Sequence, residues 1–207
     1  MADLTLIHTA EVHVATFAAL APEADLCHVV RPDWLARAQT GIGADLTAEI
    51  SAEFKAVTGP VLCTCTTLGP TVEAMGATRV DWPMMQIAAQ HAITAQKPVL
   101  MAYCLASTAE PSSALLRRAF GERHADITEL ALPQHWPLFE AGNSTAFCAA
   151  LAESIAIELA QNDYACVVLA QASMAGTAAI LAQQVALPVL ASPQIAMQAL
   201  LAPQILG

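Results

Sequence analysis

Short apolar runs alternate along the chain with longer, Ala-rich amphipathic runs. The short runs, bounded by turn-forming residues, predict strands at Leu4–His8, Leu26–Val30, Val61–Cys65, Val99–Tyr103, Ile127–Leu130, Cys166–Ala170 and Val189–Leu190. Helical periodicity between them predicts helices over Glu11–Leu20, Ala44–Val57, Met84–Ala95, Ser112–Phe120, Ser144–Ala160, Thr177–Val185 and Pro193–Leu201. In the second of these, Asp45, Glu49 and Glu53 recur at i, i+4 spacing and mark a solvated face. Pro111 stands near the first turn of the helix at Ser112, and Asn143 or Ser144 supplies an N-cap for the long helix that follows. Strand–helix alternation requires parallel sheets covered by helices.

The same grammar occurs twice. The expected architecture is an α/β fold of two pseudo-symmetric lobes, each a mainly parallel sheet covered by helices, with a site in the cleft between them. Residues 1–96 form the first lobe and 97–189 the second, with a hinge near Gln96-Lys97-Pro98. The segment 190–207 returns to the first lobe. In such sheets ligands lie at the carboxyl ends of the strands. The positions of interest are therefore His8-Thr9, Cys65-Thr66-Thr67, Tyr103 to Thr108, and Gln171-Ala172-Ser173.

Composition narrows the functional classes. Of 207 residues, 56% are apolar and 13% charged, too apolar for a disordered chain. The net charge is −10, with Lys55 and Lys97 the only lysines, which argues against a nucleic-acid partner. No run of eighteen apolar residues is free of polar interruption, so no membrane-spanning helix is expected. No basic segment followed by a short apolar one opens the chain, so a cytoplasmic location is expected. The stretch from Tyr164 to Gly207 carries no charge and reads as buried core or as a homodimer interface. The six cysteines, at 27, 63, 65, 104, 148 and 166, contain no CxxC pair, so reduced thiols and no metal site are expected.

Cys65 ends a buried strand and precedes hydroxyl residues and a helix, where a thiolate is favoured. Thr66 and Thr67 offer hydroxyls and N–H groups to an anion. Alternatively, Cys65 is a small buried hydrophobe and the threonines cap the helix. Cys63 belongs to the core. Ser107 and Thr108 hold the corresponding place in the second half, either to grip a second carboxylate oxygen or to cap a helix. Asp81, before Trp82-Pro83, either reaches the cleft or serves as a helix N-terminal acid. His8 falls at a strand end and stays a site candidate, whereas His13 and His28 read as ordinary histidines. Gly41-Ile42-Gly43 lacks the third glycine of a dinucleotide loop, and there is no P-loop. Ser173 sits at a strand-to-helix turn, but no His or acid follows it, which excludes the α/β-hydrolase order. A Cys–His hydrolase built on Cys65 with His91, His124 or His135 has no support in spacing.

Several segments resemble one family: Leu6-Ile7-His8-Thr9, Val61 to Gly69, Arg79-Val80-Asp81-Trp82-Pro83-Met84, Ser107-Thr108 with Pro111, Val167 to Met174, and Leu187-Pro188-Val189. In order and spacing they resemble the aspartate/glutamate/hydantoin racemase superfamily, which also holds arylmalonate decarboxylase and maleate isomerase. The resemblance implies two lobes, no cofactor or metal, and a small carboxylate substrate. It also implies two cysteines flanking the α-carbon, one from each lobe. The first cysteine matches Cys65. Thr9, Thr64, Thr66, Thr67, Asp81, Tyr103, Ser107, Thr108, Ala172 and Ser173 are the neighbouring substrate-binding positions. The place of the second cysteine holds Gln171, which transfers no proton at neutral pH. Ser173 is a poor acid or base unless activated, and His8 is the remaining source of a base. The implied activity is a cofactor-independent racemase or isomerase acting next to a carboxylate, with Cys65 as the thiol acid/base. One-cysteine decarboxylation of a malonate-type acid or cis–trans isomerisation is the alternative. Gln171 favours a third reading, a non-catalytic binder of small carboxylates. Arg79 is the only cation near a candidate loop, which points to one carboxylate and an apolar or neutral remainder.

Overall fold

The computed structural model describes residues 2–201. A strand buried on both faces must pair its backbone within a sheet, and the apolar runs assemble accordingly. The elements of the first half are β1 (Leu4–His8), α1 (Val12–Leu20), β2 (Leu26–Val30), α2 (Pro32–Ala38), α3 (Ala44–Ala56), β3 (Val61–Cys63), α4 (Gly69–Glu73), β4 (Thr78–Arg79) and α5 (Trp82–Ala95). The second half contains β5 (Val99–Tyr103), α6 (Ala106–Phe120), β6 (Ile127–Ala131), α7 (Trp136–Glu140), α8 (Ser144–Leu159), β7 (Cys166–Leu169), α9 (Gly176–Leu181), β8 (Val189–Ala191) and α10 (Ser192–Leu201). The strands form two four-stranded sheets of the same order, β2-β1-β3-β4 and β6-β5-β7-β8, with every pair parallel.

The alternation of side chains along each strand feeds two cores per sheet. Leu4, Leu6 and Leu62 face Phe17 of α1 and Ala196 and Met197 of α10. Ile7 and Cys63 face the other way, onto Trp34, Leu46, Ile50 and Val72. In the second sheet Leu100, Ala102, Val167 and Leu169 pack with Phe147, Leu151 and Ile155 of α8. Val99, Met101, Cys166 and Val168 pack with Leu115 and Leu116 of α6 and with Met84, Met85 and Ala88 of α5. Two helices thus change lobes: α5 follows the first sheet and covers the second, and α10 does the reverse. Gln96, in the left-handed conformation at φ 54°, ends α5 and turns the chain into β5.

Several local expectations change. β3 stops at Cys63, two residues early, because Thr64 donates to Ile7 O and the chain then leaves the sheet. α6 starts at Ala106 rather than Ser112, so Pro111 lies inside it and supplies no N–H for the turn below. α9 ends four residues before Val185. α2, α4, α7 and β4 were not expected; three of the helices are short, and β4 is only two residues long. The end of the returning segment, 202–207, lies outside the described residues. Among the described residues no helix is long and apolar enough to cross a membrane.

One ion pair braces the junction between the lobes. The Arg79 guanidinium donates to both Asp81 oxygens, at 3.0 and 2.9 Å, and to Pro111 O of the second lobe at 3.1 Å. Both side chains are buried, at 4% and 0% exposure. Gly69 makes the room, since a Cβ there would lie 2.6 Å from Arg79 Nε. Arg118 bridges the lobes near the surface, donating to Glu73 at 2.7 and 3.0 Å while its guanidinium covers the Trp82 ring. Burial decides which pair matters. Asp81→Ala leaves a buried, unpaired guanidinium and is expected to cost about 3–5 kcal/mol. Glu73→Ala, at a half-exposed pair, is expected to cost about 0–1 kcal/mol. Urea unfolding at pH 7 measures both.

Candidate active site

In each sheet the chain departs in opposite directions from two neighbouring strands, β1 and β3 in the first and β5 and β7 in the second. A crevice opens at the carboxyl ends of such strands. The two crevices face each other across a narrow cleft, part of it open to solvent. The first lobe lines it with Thr9, Ala10, His13, Leu35 and Thr64 to Thr67, the second with Leu105, Thr108, Trp136, Phe139 and Gln171 to Ser173. No Lys, Arg, Asp or Glu is among these residues.

Strand register relates the halves residue by residue. Thr64 N donates to Ile7 O, and Ala170 N donates to Ala102 O, both at 3.0 Å. Cys65 is the residue after Thr64 and Gln171 the residue after Ala170, so the two hold equivalent places on opposite sides of the cleft. Cys65 is the only cysteine lining it. Burial pushes its thiol above the ordinary range; the Thr9 side chain and the N–H groups of Leu68 and Thr67 face the sulfur and favour its anion, against repulsion from Asp81. Cys63 lies deeper, with its thiol directed at Cys65 O, and burial holds it protonated.

The other predicted residues divide into those the cleft exposes and those it does not. Thr9, Thr64, Thr66, Thr67, Thr108, Ala172 and Ser173 line it. The Thr66 hydroxyl, however, donates to Ala170 O at 3.1 Å, and Thr67 Oγ1 lies 3.2 Å from Ser107 Oγ, so these groups tie the lobes together. Asp81 is engaged by Arg79 and lies outside the cleft lining. The Tyr103 phenol donates to Glu129 at 3.3 Å, also outside the lining. His8 is fully buried behind Thr64 and is not part of the lining. Leu105 falls within the expected stretch Tyr103 to Thr108, whereas Ala10, His13, Leu35, Trp136 and Phe139 are not among the expected positions. An aromatic pair beyond a strand end, Trp136 with Phe139, was the available signal.

His8 sits in a relay of polar groups. Its Nδ1 lies 2.9 Å from Thr64 Oγ1 and its Nε2 2.8 Å from His28 Nδ1. Thr64 Oγ1 donates to Ile7 O at 3.1 Å, so it accepts from His8 Nδ1–H, and His8 Nε2 accepts from His28. Burial, with repulsion from His13 and His28, lowers the His8 pKa from 6.5 to about 3. Burial lowers that of His13 to about 4. Both rings are neutral at pH 7. Among the described residues no group of three or more His, Cys, Asp or Glu is arranged to hold a metal ion.

This two-lobed arrangement is that of solved racemases. Allantoin racemase from Klebsiella pneumoniae is 15% identical, with 95% of this chain and 85% of that chain covered at a TM-score of 0.63. The Picrophilus torridus aspartate racemase is 13% identical, with 95% and 91% covered at 0.62. A glutamate racemase from Bacillus anthracis is 12% identical, with 95% and 79% covered at 0.67. No protein-family model matches the chain, and no curated protein matches it. At these identities the likeness is one of fold. That fold is the α/β two-lobed one of aspartate, glutamate and allantoin racemases, in agreement with the superfamily that the sequence resembles.

The histidines give the fold an acid-sensitive side. Their folded pKa values lie below 6.5, so between pH 6.5 and about 4 the unfolded chain binds protons that the folded chain does not. Stability is full above that window and falls with pH inside it, by on the order of 1–2 kcal/mol per histidine at pH 5. Urea midpoints are expected to drop between pH 7 and pH 5, and less steeply in His13→Gln.

Proposed function

We propose that the protein is a cofactor-independent isomerase acting beside the carboxylate of a small acid, with Cys65 as the acid/base group. One observation carries this: Cys65 is the one thiol among the described residues that lines the cleft between the lobes, and Thr9, Thr64, Thr66 and Thr67 line it alongside. As a thiolate, Cys65 takes the proton from the carbon beside the substrate carboxylate. The C–H electrons move into the carboxylate, making an enediolate, and the thiol returns a proton to carbon. Carbon acids of this kind ionise only where fixed donors and exclusion of water stabilise the enediolate. The cleft is narrow, free of charged side chains and rich in hydroxyls, which supports a substrate with one carboxylate and an apolar or neutral remainder.

A second reading is favoured by a specific feature. Burial holds Cys65 in its protonated form, and a thiol is the form that protonates an enediolate left by loss of carbon dioxide from a malonate-type acid. The two readings differ in pH dependence. The isomerase needs thiolate, so its kcat/KM rises with pH up to the raised thiol pKa. The decarboxylase needs thiol, so its kcat/KM falls as pH passes that value.

Proton NMR in D2O tests the proposal with amino acids, hydantoins, arylmalonates and maleate as substrates. The expected result is α-deuteration or product formation that drops by about 10²–10⁴-fold in Cys65→Ala. Silence across the panel with ligand binding intact would make the protein a carboxylate binder.

A further inference from the structure

Gln171 holds the place that the pseudo-twofold relation gives to a second Cys65, and its side chain is firmly oriented. Gln171 Oε1 accepts from Cys104 N at 2.6 Å and from Leu105 N at 3.0 Å. Two backbone donors on one atom identify that atom as the oxygen, so the carboxamide presents its other end, Nε2–H₂, as a donor. Nε2 has no hydrogen-bond partner among the described residues, although the residue is only 7% exposed and lines the cleft. Two residues on, Ser173 also lines the cleft, and its Oγ is buried without a partner. The neighbouring hydroxyls of Thr66 and Thr67 are engaged in ties between the lobes. A buried donor left unmade costs about 1–3 kcal/mol. Two donors two residues apart, Gln171 Nε2 on the cleft lining and Ser173 Oγ buried without a partner, in a cleft whose described lining holds no Lys or Arg, define a place for an anionic acceptor.

We propose that Gln171 and Ser173 are the anion-binding half of the site. Gln171 Nε2–H and Ser173 Oγ–H donate to the oxygens of the substrate carboxylate and to the enediolate that develops from it. This rests on the reading of Cys65 as the group that carries the proton. The second lobe then binds charge and the first lobe moves the proton. His13, the other titratable side chain of the lining, stands on α1 in the same lobe as Cys65. The proton therefore leaves carbon for Sγ and returns from Sγ on one face. The C–H pair enters the enediolate and comes back to the same side. An α-carbon handled in this way exchanges its proton with solvent and keeps its configuration. The net reactions open to the site are those that need a single face: a same-face shift of a proton along a double bond, or protonation of one face after loss of carbon dioxide.

Gln171→Glu is the decisive variant. It keeps an oxygen for the amides of Cys104 and Leu105 and replaces the donor with a second oxygen, so the fold is retained and the anion site is reversed. Propionate is the probe, and side-chain amide signals in ¹H–¹⁵N NMR are the readout, with the Gln171 pair assigned by its loss in Gln171→Glu. Propionate is expected to shift that pair in the wild-type protein and in Cys65→Ala. Affinity is expected to fall about 10–100-fold in Gln171→Glu, with an unchanged thermal midpoint. Propionate that binds Gln171→Glu as well as wild type, or leaves the Gln171 amide unmoved, overturns the anion site. With enantiopure substrates in D2O, α-deuteration with retention supports single-face transfer, and racemisation by the wild-type protein refutes it. Gln171→Cys is expected to add exchange at the opposite face and to scramble configuration. Loss of all Cys65-dependent exchange, with Gln171-dependent propionate binding intact, would remove the acid/base role of Cys65 and leave the anion site standing.

Discussion

The hydrogen bond from the Thr66 hydroxyl to the Ala170 carbonyl holds the carboxyl ends of the two sheets against each other. Both residues belong to the loops that carry the chemistry, one position after Cys65 and one before Gln171. A single such bond is worth about 1 kcal/mol net, too little to join two lobes alone. It acts with the contact between Thr67 and Ser107, the bond from Arg79 to Pro111 O, and the pair of Arg118 with Glu73. The exchange of α5 and α10 between the sheets adds apolar burial to these ties. Domain interfaces move relative to one another by default unless they are large and apolar. Here the ties lie along one side of the cleft, through α4, α5 and α6. Leu35 of α2 and Trp136 and Phe139 of α7 also line the neighbouring open groove.

The electrostatics of the site are local. The chain carries a net charge of −10, so its long-range field repels an anion. The cations that lie nearest to the candidate loops are committed elsewhere: Arg79 to Asp81, and Arg118 to Glu73. The histidines around the cleft are neutral, because burial lowers their pKa values. What remains is a set of neutral dipoles held in fixed directions. Where a ligand displaces water from the cleft, such dipoles are far more effective than in bulk water and need no reorganisation as charge develops. Recognition of a carboxylate by neutral donors fits this arrangement.

The inner strands were legible because both faces of each sheet are covered there, which turns β1, β3, β5 and β7 into short apolar runs. The rule that ligands sit at strand ends then led to Cys65, Gln171 and Ser173 from the sequence alone. Other features depend on distant packing and leave little local trace. Nothing around Thr66 indicates that its hydroxyl points across to Ala170, and nothing around Met84 indicates that α5 covers the other sheet. His8 lies at a strand end, as the rule requires, yet its ring is turned behind Thr64 by the bond to Thr64 Oγ1. His13, Trp136 and Phe139 come from the helices that frame the cleft rather than from strand ends. The sequence places the helix at Ser112 late because Pro111 usually opens helices, whereas here Pro111 lies in the second turn.

A symmetric backbone can carry asymmetric chemistry, because register places equivalent Cα positions but leaves each side chain its own role. At one position a thiol is raised by burial; at the other a carboxamide has its oxygen fixed by two N–H groups. In the proposed reaction, raising the thiol has a catalytic sense. Proton transfer between carbon and sulfur is least uphill when the two are close in acidity, and a carbon beside a carboxylate is a far weaker acid than an ordinary thiol. Burial narrows that gap by making the thiolate a stronger base, and the same burial strengthens the donors that hold the enediolate. The cost is a smaller thiolate fraction at neutral pH. The N–H groups of Leu68 and Thr67 and the Thr9 side chain offset that loss in part, since they stabilise the anion without returning the sulfur to water. An acid/base pair across the cleft would divide this tuning between two thiols. On the proposed reading, with a carboxamide opposite, all of it falls on Cys65, and the second lobe is left to bind charge.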